Sequence, residues 1–253
     1  MSVPVAFLGD FGEAITFIFH ERESVSGGVQ IGGIPELAGF AATHMYVSIA
    51  ALAIAAVVAI PLTLWLGHIG RGDFLATATS NVGRAVPSLA LLAFFISFIG
   101  LGYANVITVL VLLAIPPLIT STYVGVRQVD RDVVDAARGQ GMTGMEIVCK
   151  IELPLALPSI FGGLRTSAVN VVATATIAPL ANVQTLGEPI ITPQTYGFVG
   201  QLGAAILVAV ITLLVDFAFA RLQRAVTPAG LKLAEPARRR WFSRPMKRRL
   251  ESI

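Results

Sequence analysis

Along this chain, long stretches without a charged residue alternate with short charged segments, and the gaps between charges mark the elements. A helix crossing the ~30 Å hydrocarbon core of a bilayer needs about 20 apolar residues. From His44 to His68 the chain is uncharged and runs through Val47-Ser48-Ile49-Ala50-Ala51-Leu52-Ala53-Ile54 to Trp65, which predicts a first span with an aromatic near its end. Between Arg84 and Arg127 lie 42 uncharged residues. That is too many for one helix, and the turn-like Gly100-Leu101-Gly102-Tyr103-Ala104-Asn105 divides them into spans two and three. Arg165 to Glu188 encloses span four, and span five runs from near Phe198 to about Leu222. Residues 5–19 are also apolar, but the stretch is short and carries Asp10 and Glu13. Without a basic leader or a small-residue cleavage site it predicts a helix lying at the membrane interface, a sixth span being the alternative. The expected fold is an all-α membrane protein of about five transmembrane helices. It divides into an external N-terminal segment at 1–43, a transmembrane domain at 44–226 and a basic tail at 227–253.

Composition supports the same class. The 253 residues are 55 % hydrophobic and 13 % charged, against roughly a quarter charged in soluble domains. A mean hydropathy of +0.78 is the opposite of a disordered chain's signature. The single cysteine, Cys149, has no partner for an internal disulfide and no neighbours at zinc-ligand spacing, so no metal site is expected.

Charge fixes an expected orientation. With five spans, 17 of the 18 Lys and Arg fall on one side and only Arg22 on the other. The positive-inside bias then places the N-terminus outside and the C-terminus in the cytoplasm, with the loop at 127–157. The tail from Arg238 to Arg249 follows a span directly, so its expected partner is anionic lipid rather than nucleic acid.

The cytoplasmic loop between spans three and four is the most informative segment. Apolar residues at 129, 133, 134 and 137 predict a short amphipathic helix from Val129 to Arg138, ended by Gly139 and Gly141. Pro154 and Pro158 set the start of span four. Asp135-Ala136-Ala137 is followed by three residues, Gly141, nine residues, Ile151, one residue, and Leu153-Pro154. In this the loop resembles that of the permeases of ATP-binding-cassette importers, which is patterned Glu-Ala-Ala, three residues, Gly, nine residues, Ile-x-Leu-Pro. The one departure is Asp for Glu at 135, which keeps the charge on a shorter stem. The resemblance implies the fold of a type I importer permease and a coupling helix seated in a groove of an ATPase subunit, the groove receiving Ala136, Ala137 and the glycine turn. It implies no cofactor on this chain, ATP and magnesium being held by the partner. The chain itself contains no Gly-x-x-x-x-Gly-Lys-Ser/Thr phosphate loop. Gly139-Gln140-Gly141-Met142-Thr143-Gly144 does fit the dinucleotide fingerprint, but it follows a helix and has no acid near 159–164, so it is rejected.

Further strings extend the resemblance to permeases for glycine betaine, choline, carnitine and related osmoprotectants. They are Ile60-Pro61-Leu62, Val86-Pro87-Ser88-Leu89-Ala90, Ile115-Pro116-Pro117 and Thr227-Pro228-Ala229-Gly230-Leu231. It implies a second permease subunit, identical or homologous, two ATPase subunits inside, a solute-binding protein outside, and residence in the bacterial inner membrane. No covalent chemistry is expected of this chain.

Asn170 and Thr174 in span four, Ser88, Thr120 and Tyr103 are the polar candidates for a translocation path. Each has helix-to-helix hydrogen bonding or interfacial anchoring as its alternative. Arg165 and Asp216 lie inside the inner ends of spans four and five and are candidates for an inner-gate ion pair. Small residues at Ser159, Gly163 and Ser167, and at Gly200 and Ala204, predict close helix packing. Three alternatives remain: an importer permease for another small polar solute of amino-acid type, a stand-alone secondary transporter, and a membrane scaffold. A secondary transporter usually shows internal repeats and mid-span acids, neither of which is evident.

Overall fold

The computed structural model describes residues 3–227; the basic tail and the stretch from Pro228 to Leu231 lie outside the described residues. The chain begins with α1 (Val3–Phe19), then the strands β1 (Glu21–Glu23) and β2 (Gln30–Gly32), then α2 (Gly33–His68). Next come α3 (Asp73–Ala85), α4 (Ser88–Ile99), α5 (Tyr103–Arg127) and α6 (Arg131–Gly139). After α7 (Gly144–Ile147), a π-helical turn at Val148–Glu152 leads into α8 (Leu153–Thr174). A 3-10 segment at Ala175–Ala181, α9 (Glu188–Ile191) and α10 (Pro193–Val226) complete it. Among the described residues four helical stretches are long and apolar enough to cross a membrane: Gly33–His68, Tyr103–Arg127, Gly144–Ala181 and Pro193–Val226.

Among the described residues the molecule has two ends. At one end the Gly102 N–H donates to the Ala181 carbonyl at 2.7 Å, and the Val25 N–H donates to that of Thr195 at 3.0 Å. This gathers the β1–β2 hairpin, the Gly100–Gly102 turn and the start of α10. At the other end His68 meets Glu152 and the Gln223 amide reaches the Pro158 carbonyl. Span two departs from expectation. With only 12 residues α4 is about 18 Å long, too short for the core. It is completed by α3, from which Pro87 separates it: Gly72, just before α3, lies against Tyr123, and Gly83 against Pro116 halfway along α5. A proline without an N–H disfavours helix in the residue before it, which is why one span becomes two short helices.

Helix α5 is central, burying Val106, Val109, Leu110, Ala114, Leu118, Ile119, Tyr123 and Val126 against α2, α3, α4 and α8. The stripe Val47, Ala51, Ala55 and Ala59 on α2 repeats every four residues and is fully buried or nearly so. Side chains this small let backbones approach, which favours helix association where lipid offers no hydrophobic driving force. The predicted small residues act the same way. A Cβ on Gly163 would come within 2.7 Å of Ser121, Ser159 lies against Gly125, and the Ser167 hydroxyl donates to the Ala114 carbonyl at 2.8 Å.

Other expectations need correction. Span one starts at Gly33 rather than His44, and His44 is fully buried within it, its Nε2 donating to the Val172 carbonyl at 2.8 Å. A neutral imidazole with a satisfied N–H tolerates burial that a charged ring would not. The all-α architecture is as expected, with one short addition, the β1–β2 hairpin, whose Glu21, Arg22 and Glu23 pair with Gly32, Ile31 and Gln30. Helix α1 has 17 residues, about 26 Å in length, and packs Ala14 and Phe17 onto Gly200 and Gly203 of α10. Phe17, Ile31, Leu37, Phe40, Leu186, Tyr196 and Val208 form one apolar cluster, so the N-terminal segment packs with the bundle. Span five does begin at Phe198: Gly197, with φ +64° and ψ −177°, breaks α10 just before it.

Candidate functional site

The loop after α5 folds into an elbow built by local signals. Asp130 caps α6, its carboxylate accepting the Asp132 N–H at 3.0 Å. Gly141 turns the chain with φ +84°, a conformation that costs a residue with a Cβ. Thr143 and Glu146 form a capping box at α7. Lys150 Nζ donates to Glu146 at 2.9 Å. That bond, with those from the Thr143 backbone and hydroxyl, lowers the Glu146 carboxyl to about 2.

The Ile-x-Leu-Pro string has a physical division of labour. Ile151 packs with Val129, Val134, Ala137, Met142 and Ile147 inside the elbow. Leu153, two residues on, packs with Leu64, Val126, Val148, Ala156 and Ile160 at the end of the bundle. Pro154 follows the π turn within a continuous helical run, where its missing N–H leaves a carbonyl of that turn without a backbone donor. Between them Glu152 is fully buried and bonded to His68.

The outer face of α6 carries Asp132, Asp135, Ala136 and Arg138, with Val133 half-exposed and Met145 exposed beside them on α7. Arg138 approaches Asp135 at 3.5 Å, an exposed pair of little energetic weight. Ala137 is 5 % exposed and faces the elbow interior. The expectation that a partner groove receives both alanines is therefore corrected: only Ala136 is presented outward. The rejected dinucleotide string proves to be elbow: Gly139 ends α6, Gly141 makes the turn, and Gly144 opens α7 beneath the His68 ring.

A second feature lies along α8. Ser80, Thr120, Ser121, Thr166 and Asn170, with Pro116 and Pro117, line a cleft of about 270 Å³. Gly162, Arg165, Thr166, Asn170, Asp216 and Gln223 line a neighbouring one of about 430 Å³. Thr166 and Asn170 belong to both, so the two adjoin along α8 as a groove of mixed polar and apolar lining, the first part at the level of the α5 prolines. Arg165 Nε donates to Asp216 Oδ1 at 2.6 Å and its Nη2 to Oδ2 at 2.7 Å, a two-pronged bond joining α8 to α10 beside the groove.

Asn170 and Thr120 are thus brought together with the Arg165–Asp216 pair. Ser88, Tyr103 and Thr174 are not. Ser88 opens α4, Thr174 closes α8, and Tyr103 meets the Tyr46 ring edge at 6.0 Å at the hairpin end. Sequence reasoning missed Ser80, Ser121, Thr166 and Gln223 in the groove, and His68 and Glu152 at the elbow. Thr166 and Asn170 stand four apart on one helix face, a signal that was available.

Comparison with known proteins agrees with this architecture. Residues 59–229 match the family described as "Binding-protein-dependent transport system inner membrane component". Over 197 residues the chain is 33 % identical to the glycine betaine/carnitine/choline transport system permease protein OpuCB of Bacillus subtilis (strain 168), covering 75 % of this chain and 88 % of that one. It is 34 % identical over 197 residues to the choline transport system permease protein OpuBB of the same organism, with the same coverage. A structure of the MetNI methionine ABC transporter in an inward-facing conformation superposes with a TM-score of 0.65 at 22 % identity, covering 76 % of this chain and 97 % of that chain. At that identity the likeness speaks for the fold.

Proposed function

The chain belongs to the binding-protein-dependent transport system inner membrane components, the permeases of ATP-binding-cassette importers, and on that premise we propose that it carries quaternary ammonium osmoprotectants such as glycine betaine, choline or carnitine across the membrane. The observation that carries the reading is the elbow: a compact, internally packed unit with Val133, Ala136 and Met145 on its outer face, attached to the bundle through Leu153 and Glu152. Such a unit suits a partner that pushes on it. We assign that partner as a separate ATPase subunit, with ATP and magnesium bound there, and a solute-binding protein at the hairpin end. The Lys and Arg bias supports an elbow in the cytoplasm and an N-terminus outside.

The groove is one wall of the path. The Thr120 and Thr166 hydroxyls donate to the Pro116 and Gly162 carbonyls of their own helices at 2.9 and 3.1 Å, so the cost of a polar group at bilayer depth falls on the exposed Asn170 amide, which is costly there unless it faces water or a second protein surface. A second permease subunit, identical or homologous, would close Asn170, Thr120, Ser121 and Thr166 into a channel. Tight capture of a quaternary ammonium group uses aromatic cages, worth up to about 2 kcal/mol per desolvated contact. The groove residues include no aromatic ring, which suits a path that must release its solute and leaves tight capture to the binding protein. The Arg165–Asp216 bond joins the middle of α8 to α10, about two helical turns inside the Gln223–Pro158 contact, and is assigned as a staple on the inner side of the path. The conformational cycle is then a population shift imposed by ATP bound on the partner.

The test is uptake by proteoliposomes containing the chain, its ATPase and its binding protein. ATP-dependent accumulation of labelled glycine betaine, choline or carnitine, with no competition from amino acids at equal concentration, is expected. Uptake of an amino acid in preference would replace the solute class, and uptake driven by an ion gradient without ATP would overturn the reading.

A further inference from the structure

A buried acid and a histidine outside the groove have no part in the path. Glu152 occupies the variable place of the Ile151-Glu152-Leu153-Pro154 string, at the end of the π-helical turn, and is 0 % exposed. One carboxylate oxygen accepts from His68 Nδ1–H at 2.8 Å. The other is buried and accepts no hydrogen bond among the described residues. His68, the last residue of α2, is held on three sides: Glu152 binds it, Trp65 lies 5.7 Å from its ring, and a Cβ on Gly144 would approach its Nε2 to 3.1 Å. The imidazole is therefore wedged between the first turn of α7 and the last residue of the π turn.

A fold that needed only adhesion here would use apolar side chains, as Leu64, Val126 and Val148 do alongside. Burying an acid is costly unless it is paired, and an orphaned oxygen adds to that cost. What the pair supplies in return is direction. Apolar surfaces can slide past one another, whereas a buried hydrogen bond between two packed groups has one geometry. π turns inside helices also occur often at functional sites. The interior cluster of α6 connects to the bundle by two routes, the short link to α5 at 128–130 and the segment from Gly144 to Leu153, and the pair pins the second route to α2.

We propose that the buried His68–Glu152 bond makes the elbow and the end of α2 one mechanical unit, positioning α2 to follow the elbow and setting how much solute moves per ATP hydrolysed. This rests on the assignment of 127–157 as the coupling loop. His68 and Glu152 are positioning residues; neither is placed in contact with solute or nucleotide.

The test uses the assembled importer in proteoliposomes and reads the ratio of solute taken up to ATP hydrolysed. Glu152→Leu and His68→Leu are expected to lower that ratio about tenfold, and the double variant no further. His68→Asn, whose amide can replace the Nδ1 donor, should stay within about threefold of the parent. An unchanged ratio in both leucine variants overturns the proposal. Where the leucine variants fail to assemble, a second measurement decides. In a Cys149→Ser background, His68→Cys with Glu152→Cys is bridged by a short bifunctional thiol reagent. A solute-to-ATP ratio that rises on bridging, relative to the unbridged double variant, supports a unit that moves together; a ratio that falls on bridging, or does not change, overturns it. Ala136→Arg serves as the control on the coupling assignment. If it leaves ATPase binding and transport normal, the assignment itself has failed. If it abolishes them while the pair variants keep the parental ratio, only the strut has failed.

Discussion

Gly141 combines a φ of +84° with open space where its side chain would be, so strain alone sets the cost of replacing it. Gly141→Val should destabilise by roughly 1–2 kcal/mol. Gly141→Asn should cost less, because asparagine visits this region more readily, and thermal unfolding of the purified chain would rank them. Glu146 gives a pH prediction with a definite sign. Its carboxyl is depressed to about 2 by Lys150 and Thr143, so the cap's contribution is complete above the ordinary glutamate range and fades as the pH falls toward that value. Protection of the α7 amides against hydrogen exchange should therefore drop on acidification in the parent, and the dependence should vanish in Glu146→Gln. For the Arg165–Asp216 pair, Asp216→Ala should lower thermal stability and Arg165→Ala in the same chain should restore part of the loss. Strictly additive losses would show that the two charges act alone. These two residues were legible as a pair because charges deep in spans are rare. His68 and Glu152 were not, because 84 positions separate them and no local pattern joins them.

At the scale of elements, the elbow separates docking from folding. Ala136→Arg and Val133→Asp alter the outer face and should weaken binding of the ATPase subunit while leaving the elbow resistant to protease. Ala137→Arg drives a guanidinium into the cluster of Val129, Val134 and Ile147, so it should open the elbow to protease as well. Pull-down and limited proteolysis, run on the same samples, distinguish the two. Helix α6 was readable to within about two residues because its stripe, its aspartate cap and its glycines all agree. Which alanine faced inward was not, since the stripe defines a face but not what covers it. Span two was misread because composition sees one apolar run from Val86, whereas Pro87 divides the passage and α3 carries part of it. The groove was only half legible. Asn170 and Thr120 were named as polar residues in spans, and Thr166 could have been added from its spacing to Asn170, but Ser80 and Ser121 acquire meaning only when α3, α5 and α8 are brought together.

On the scale of the whole molecule, the two ends are defined by contacts, and the proposed orientation puts the hairpin end outside and the elbow end in the cytoplasm. Ser26→Cys at the hairpin, in a Cys149→Ser background, should react with an impermeant thiol reagent in intact cells. Native Cys149, exposed on the elbow, should react only after lysis. The reverse pattern would invert the topology and remove the elbow from the cytoplasmic ATPase. The most direct measurement is ATP hydrolysis and glycine betaine uptake followed together in proteoliposomes holding the complete importer, with and without binding protein, for the parent and Ala136→Arg. The parent should show hydrolysis stimulated by loaded binding protein and uptake in proportion to it, and Ala136→Arg should lose both together. If Ala136→Arg retains stimulated hydrolysis and uptake at the parental rate, the elbow is not where this permease receives its driving force.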